Sequence, residues 1–331
     1  QLPMLREADL ARWMGARGAR IAEARGRYWN EVVPGFFQPL HYLARHRLDE
    51  IVSPRRFCWG MRAVLEEAER ERSNVVLPVH VMPDLQDYAL ERLDRRRRQE
   101  IRKAMREVDL VILDRPDRLI ADGFPLVREA TARNPRNRAV AEPRFAAWLE
   151  AAFAGPGPTV LAMLQGERLL GFSFLFAIDG IAYAHQAFIG DAGRRLHLDL
   201  LCFHAEASIA QRTPAVHTLV NGLHARENEG LCGFKKRQGL VVAVQRSRLH
   251  MFAAYVLRVS PGVRHDRSQP STGRRLACQH RQTGAGCETL PAATAPAWAR
   301  WAGGVDDHVS ELAGEAVAAP AQPAVGDDAA A

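Results

Sequence analysis

Residues 159–189 read TVLAMLQGERLLGFSFLFAIDGIAYAHQAFI, three apolar runs separated by two short polar breaks. The first break holds Gly166, Glu167 and Arg168, and the second is the pair Asp179–Gly180. An Asp-Gly pair between apolar runs is a strong hairpin signal, because both residues accept the positive φ angles of a two-residue hairpin turn. The stretch predicts an antiparallel three-stranded meander. Within its last strand, alternation puts Tyr183, His185 and Ala187 on one face and Ala184, Gln186 and Phe188 on the other.

Downstream, a glycine-containing loop GDAGRR (190–195) leads into a helix over about 196–210, then a strand VHTLVNG (216–222). The decapeptide GLCGFKKRQG (230–239) predicts a short helix, with Leu231 and Phe234 on one face, a basic last turn and Gly239 as a left-handed cap. A strand LVVAVQ (240–245) closes the ordered pattern. Upstream, Leu, Ala and Arg at helical spacing predict one or two helices in residues 1–30, and residues 54–72 read as another. VVLPVHVM (75–82) reads as a buried strand, 84–108 as a helix capped by Asp84, and 109–114 as a strand. Residues 116–131 and 145–153 then read as helices.

The chain has 331 residues and a formal charge of +7, from 45 Lys and Arg against 38 Asp and Glu. This balance favours an anionic partner without naming one. The longest apolar stretches fall far short of the ~18 residues that argue for a membrane span, so no membrane insertion is expected. No signal-peptide pattern opens the chain, whose first residue is Gln1. The five cysteines (Cys58, Cys202, Cys232, Cys278, Cys287) form no C-x-x-C pair. Neither a zinc site nor a disulfide framework is expected from them, and a reducing, cytoplasmic setting fits. From about residue 262 the composition turns to Pro, Ala, Gly, Ser and Asp without periodicity, which predicts a disordered tail.

The order meander, loop, helix, strand, helix, strand over 159–244 resembles the GNAT acyltransferase superfamily. The phrase made by Gly230, Leu231, Phe234, Lys235 and Gly239 is closest to Fem-type aminoacyltransferases and duplicated-GNAT N-acyltransferases. The resemblance implies an α/β (α+β) fold with a mixed, mostly antiparallel central sheet flanked by helices. It divides the chain into a largely helical or partial GNAT-like region at 1–90, a transferase domain at 91–260 and a tail at 261–331. It implies an enzyme that transfers an acyl group onto a small-molecule or peptide amine by direct attack, with acyl-CoA (acetyl-CoA) as co-substrate and no metal. An aminoacyl-tRNA donor is the alternative, and a binding module without catalysis is a third reading.

In such a fold, strands 181–189 and 216–222 would run parallel and splay apart to receive the donor. The resemblance puts Lys235 beside the reacting acyl group and Phe234 against the donor, with Asn221 where the splay opens. His185 is the titratable group best placed for proton transfer. Gly190, Gly193, Arg194 and Arg195 would meet the donor's phosphates at a helix start. The loop departs from the usual acyl-CoA pattern, since only its central glycine, Gly193, matches. Each residue also has a plain structural reading: a core histidine, a turn asparagine, a solvated pair of arginines, a cationic last turn. Finally, Glu91 to Glu107 carries eight basic and four acidic residues. This suits either a solvated helix or a surface for a tRNA acceptor stem.

Overall fold

The computed structural model describes residues 1–133, 141–224 and 228–251. The expected disordered tail at 261–331 lies outside them. Twelve strands form one sheet: β1 (Ile21–Ala24), β2 (Arg27–Val33), β3 (Phe36–Pro39), β4 (Arg45–His46), β5 (Gly60–Leu65), β6 (Val75–Met82), β7 (Asp109–Leu113), β8 (Thr159–Gln165), β9 (Arg168–Ile178), β10 (Ile181–Ile189), β11 (Thr218–Leu223) and β12 (Val241–Met251). Among the described residues the α-helices are α1 (Glu7–Ala16), α2 (Arg95–Glu107), α3 (Asp117–Arg133), α4 (Glu142–Phe153), α5 (Asp191–Arg195), α6 (Leu198–Gln211) and α7 (Glu229–Arg237). The strand order is β1-β2-β3-β5-β12-β6-β11-β10-β9-β8-β7, with β4 attached to β5.

The meander forms as its sequence demands. Asp179 (φ 48°) and Gly180 (φ 77°) make the turn that joins β9 to β10, and Ile178 faces Ile181 across it. Every residue of β9 after Arg168 is buried, so this strand is covered on both faces. On one face Phe172, Phe174, Phe176 and Ile178 pack with Trp13 of α1, Leu119 and Leu126 of α3, and Phe145 and Trp148 of α4. On the other, Leu175 and Ala177 pack with Phe203, Ala207 and Ile209 of α6. Period-2 alternation thus feeds two separate cores from one strand.

The N-terminal third departs from the largely helical expectation. Residues 1–30 hold one helix, α1, followed by a hairpin whose strands pair from Ile21–Asn30 to Ala24–Arg27. In 54–72, where a helix was expected, β5 is fully buried between β3 and β12, followed by a 3-10 segment at Glu67–Arg72. Pairing on both edges overrides the helical spacing there. The expected helix at 84–108 starts only at Arg95. Asp94 caps it by accepting from the Arg97 N–H at 3.0 Å, and two 3-10 turns replace the first part. Those turns dock on α6, through Tyr88 Oη to His204 Nδ1 at 3.0 Å and Gln211 Nε2 to the Tyr88 carbonyl at 2.9 Å.

β6 lies between β11 and β12, pairing Val81 with Val220 on one edge and with Val241 on the other. The sheet therefore runs unbroken across residue 90. The Leu5 N–H donates to the Ala177 carbonyl at 2.8 Å, and the Leu2 N–H to Thr213 Oγ1 at 2.8 Å, which ties the first residues to β9 and to the end of α6. Residues 91–251 expressed alone should therefore show no cooperative thermal transition by circular dichroism. A sharp melt in that fragment would contradict the shared sheet.

Between α6 and β9, Glu206 is buried next to Ser173 and Cys202. Desolvation lifts its pKa to about 7, against opposing contacts from Ser173 and Cys202. The unfolded chain releases this proton near pH 4.5 and the folded chain near pH 7, so Glu206 costs stability progressively as pH rises through that window. Glu206→Gln should flatten the fall in denaturation midpoint between pH 4.5 and 7. An unchanged pH profile would mean that Glu206 ionises normally.

Candidate functional site

β10 and β11 run parallel and pair at only three positions, Ile181–Thr218, Ala182–Leu219 and Tyr183–Val220. Past Tyr183 and Val220 the bridges stop, while β10 continues to Ile189 and β11 to Leu223. Each strand also loses register with its other neighbour at this level. β10 shifts against β9 between Ala184 and Gln186, skipping His185, and β11 shifts against β6 between Val220 and Leu223, skipping Asn221 and Gly222. Local irregularities in both strands thus coincide with their parting, which leaves a fork with backbone groups directed across the gap. The strands part between the two that the resemblance named, with Asn221 directly after the last bridge and His185 two residues after it.

On the β11 side, Asn228 starts α7 by accepting from the Leu231 N–H at 3.0 Å. One helical turn on, the Lys235 side chain is 7% exposed and its Nζ donates to the Leu223 carbonyl at 3.3 Å. This lysine is a buried side chain held at the end of β11, not a solvated last-turn residue like its exposed neighbours Lys236 and Arg237. Gly222 bends the strand beside it at a φ of +70°, which L side chains rarely adopt, and a Cβ there would be in ordinary contact with Lys235 Nζ at 3.5 Å. Phe234 turns away and packs, half-buried, in the apolar cluster of Leu93, Ile101, Leu198 and Leu201, so its contacts are those of a core residue.

On the β10 side, His185 is solvent-accessible but walled in, with its ring 5.4 Å from Trp13 and 5.7 Å from Phe176. Arg17, directly after α1, donates to His185 Nε2 and to Gln186 Oε1, and its guanidinium lies 4.4 Å from the Trp148 ring centroid. Desolvation first, and the Arg17 charge second, depress the His185 pKa to about 3. With its Nε2 turned to the Arg17 guanidinium, the ring sits beside a fixed positive charge that disfavours its protonated form. Arg17 is the residue that sequence reasoning missed: it is one of three arginines in ARWMGARGAR, and nothing in the pattern marks it.

The loop expected to hold phosphates is built differently. Gly190 caps α5, and the Asp191 N–H at this turn donates to Glu129 Oε2 at 2.7 Å. Asp191 itself accepts from Arg133 Nη1 at 2.5 Å. A carboxylate thus already fills the first donor position. Gly193 is a packing glycine: a Cβ would come within 2.8 Å of the Leu170 carbonyl and 3.0 Å of Leu198 Cδ1. Arg194 and Arg195 are exposed on the same turn. The basic helix α2 buries Ile101 and Ala104 and pairs several arginines locally, as in Arg96–Glu100 at 2.8 Å. Among the described residues no helix is long and apolar enough to cross a membrane.

No family model matches the sequence, and no curated protein does. Solved structures do match in three dimensions. One titled FemX has a TM-score of 0.53 at 10% identity, covering 77% of this chain and 97% of its own. The C-terminal domain of a putative lysylphosphatidylglycerol synthetase from Agrobacterium fabrum gives 0.51 at 9% identity, covering 76% of this chain and 95% of its own. L-PGS from Bacillus licheniformis gives 0.51 at 12%, covering 76% and 93%. At these identities the likeness is one of fold. Over most of their length, this chain shares the fold of FemX, of the lysylphosphatidylglycerol synthetase domain and of L-PGS.

Proposed function

We propose that the chain is an acyltransferase that moves an acyl group from an activated ester onto an amine, with an aminoacyl-tRNA as donor. The observation that carries this reading is the fork between β10 and β11 with the buried Lys235 ammonium at its β11 edge. An extended acyl or aminoacyl group can pair with the unbridged backbone of such a fork in the manner of an added strand. The acceptor amine then attacks the carbonyl carbon: the N–C bond forms as the oxyanion develops beside Lys235, the C–O bond to the donor breaks, and the amine's proton leaves on the departing donor oxygen. A fixed ammonium in a desolvated site stabilises that charge more in the transition state than in the ground state. Asn221 lies at the same mouth, while His185 holds Arg17 in position rather than moving protons.

The Glu129 carboxylate at the α5 turn favours this donor over acyl-CoA, because it competes with a pyrophosphate for the same N–H. The exposed basic face of α2 supplies charge suited to a nucleic-acid backbone. The names of the neighbours, FemX and lysylphosphatidylglycerol synthetase, fit the same class of chemistry. A second reading keeps acyl-CoA as donor, bound through the exposed Arg194 and Arg195.

A donor present at 100 times its dissociation constant should stabilise the fold by about 2.7 kcal/mol and raise Tm by several degrees. Aminoacyl-tRNA should do so and acyl-CoA should not; the reverse selects the second reading, and no shift with either overturns both. Lys235→Met, which keeps the side-chain volume, should lower kcat/KM by about a hundredfold or more while moving Tm by only a few degrees. Full activity in this variant would remove Lys235 from the chemistry.

A further inference from the structure

We propose that His80, His224 and Cys232 form a binding site for a divalent transition cation of the zinc type. The three residues come from different elements, His80 from β6, His224 from the segment just after β11, and Cys232 from α7. One ligating atom of each lies within 4.8 Å of the other two. His80 Nε2 is 3.3 Å from His224 Nδ1, and Cys232 Sγ is 3.3 Å from the same nitrogen. Around a tetrahedral zinc ion, with Zn–N near 2.05 Å and Zn–S near 2.3 Å, neighbouring ligand atoms sit about 3.3–3.6 Å apart. Both separations to His224 Nδ1 stand at the short end of that range, and the ligating atoms of His80 and Cys232 lie within 4.8 Å of each other.

An imidazole nitrogen carries one lone pair or one proton, not both. His224 Nδ1 therefore has one hydrogen-bonding position for two polar neighbours, whereas a cation at the centre of the three atoms takes a lone pair from each. Two imidazoles and a thiolate suit Zn²⁺ or Co²⁺ and not the oxygen-seeking Mg²⁺ or Ca²⁺. Three protein ligands leave a fourth coordination position.

The scaffold fixes each donor. His80 is 1% exposed in a strand paired on both edges. The His224 N–H donates to the Pro78 carbonyl at 3.0 Å, which fastens that residue to β6, and the two rings lie 5.2 Å apart. The Cys232 N–H donates to the Asn228 carbonyl at 3.0 Å in the first turn of α7. Cys232 and Lys235 are three apart and so share a face of that helix. Binding converts the thiol to thiolate with release of one proton, so affinity should rise with pH. No local spacing marks the site, since the ligands stand 144 and 8 positions apart. The inference stands apart from the acyl-transfer reading and is tested without measuring activity.

The test is Co²⁺ titration of the untagged, chelator-treated full chain under reducing conditions, followed by absorption spectroscopy. One equivalent should bind, giving a near-ultraviolet thiolate-to-cobalt charge-transfer band and intense visible bands of a tetrahedral ion, both removed by one equivalent of Zn²⁺. Cys232→Ser should abolish the charge-transfer band, and Cys232→Ser and His224→Gln should each weaken binding about tenfold or more. Their metal-free forms should melt close to the metal-free parent. Failure to bind one equivalent, or a charge-transfer band that survives in Cys232→Ser, would overturn the assignment.

Discussion

The parallel contact of β10 with β11 ends after three residue pairs, and the candidate site exists because it ends there. Had the two strands stayed in register to Ile189 and Leu223, their facing N–H and C=O groups would satisfy each other and leave no edge for a substrate. The parting has a local origin on both sides: His185 drops out of register with β9, and Asn221 and Gly222 drop out of register with β6. What keeps the fork from closing or unravelling is the pairing on the outer edges. β9 continues to hold β10 beyond the irregularity, and β6 holds β11 up to Val220 and again at Leu223.

The two prongs are furnished by opposite ends of the chain. Lys235, from α7, fastens the tip of β11, and Arg17, from the end of α1, fastens the departing part of β10. Both are cations set against the fork, one through a carbonyl and one through a histidine and a glutamine. The N-terminal segment therefore does more than complete a sheet. β6 supports β11 and contributes His80, while α1 brings Trp13 into the core under β9 and Arg17 to the opening.

Where function could be read from the sequence, local signals were strong. The meander, its Asp-Gly turn, the strand at 216–222 and the helix at 230–239 follow from short-range chemistry, and the fork fell between the two strands that the resemblance named. Lys235 was legible only through that resemblance, because a lysine in a last helical turn is ordinary by itself. The illegible parts depend on long-range contacts. β5 carries helical spacing, yet pairing with β12, some 185 residues later, decides it. Arg17 and the histidine–cysteine cluster bring together residues far apart in the chain, and no local pattern announces such a meeting. The loop at 190–195 likewise depends on distant residues: Gly193 is required by close packing on the Leu170 carbonyl, and the Asp191 N–H at the helix start faces Glu129.

The central claim is that the unbridged edges of β10 and β11 are where the donor lies. Amide hydrogen exchange followed with and without saturating donor tests it directly. The account predicts slowed exchange at residues 184–189 and 221–223 on binding, with the already paired residues 181–183 and 218–220 unchanged. Protection elsewhere in the molecule with no change along the fork would contradict it.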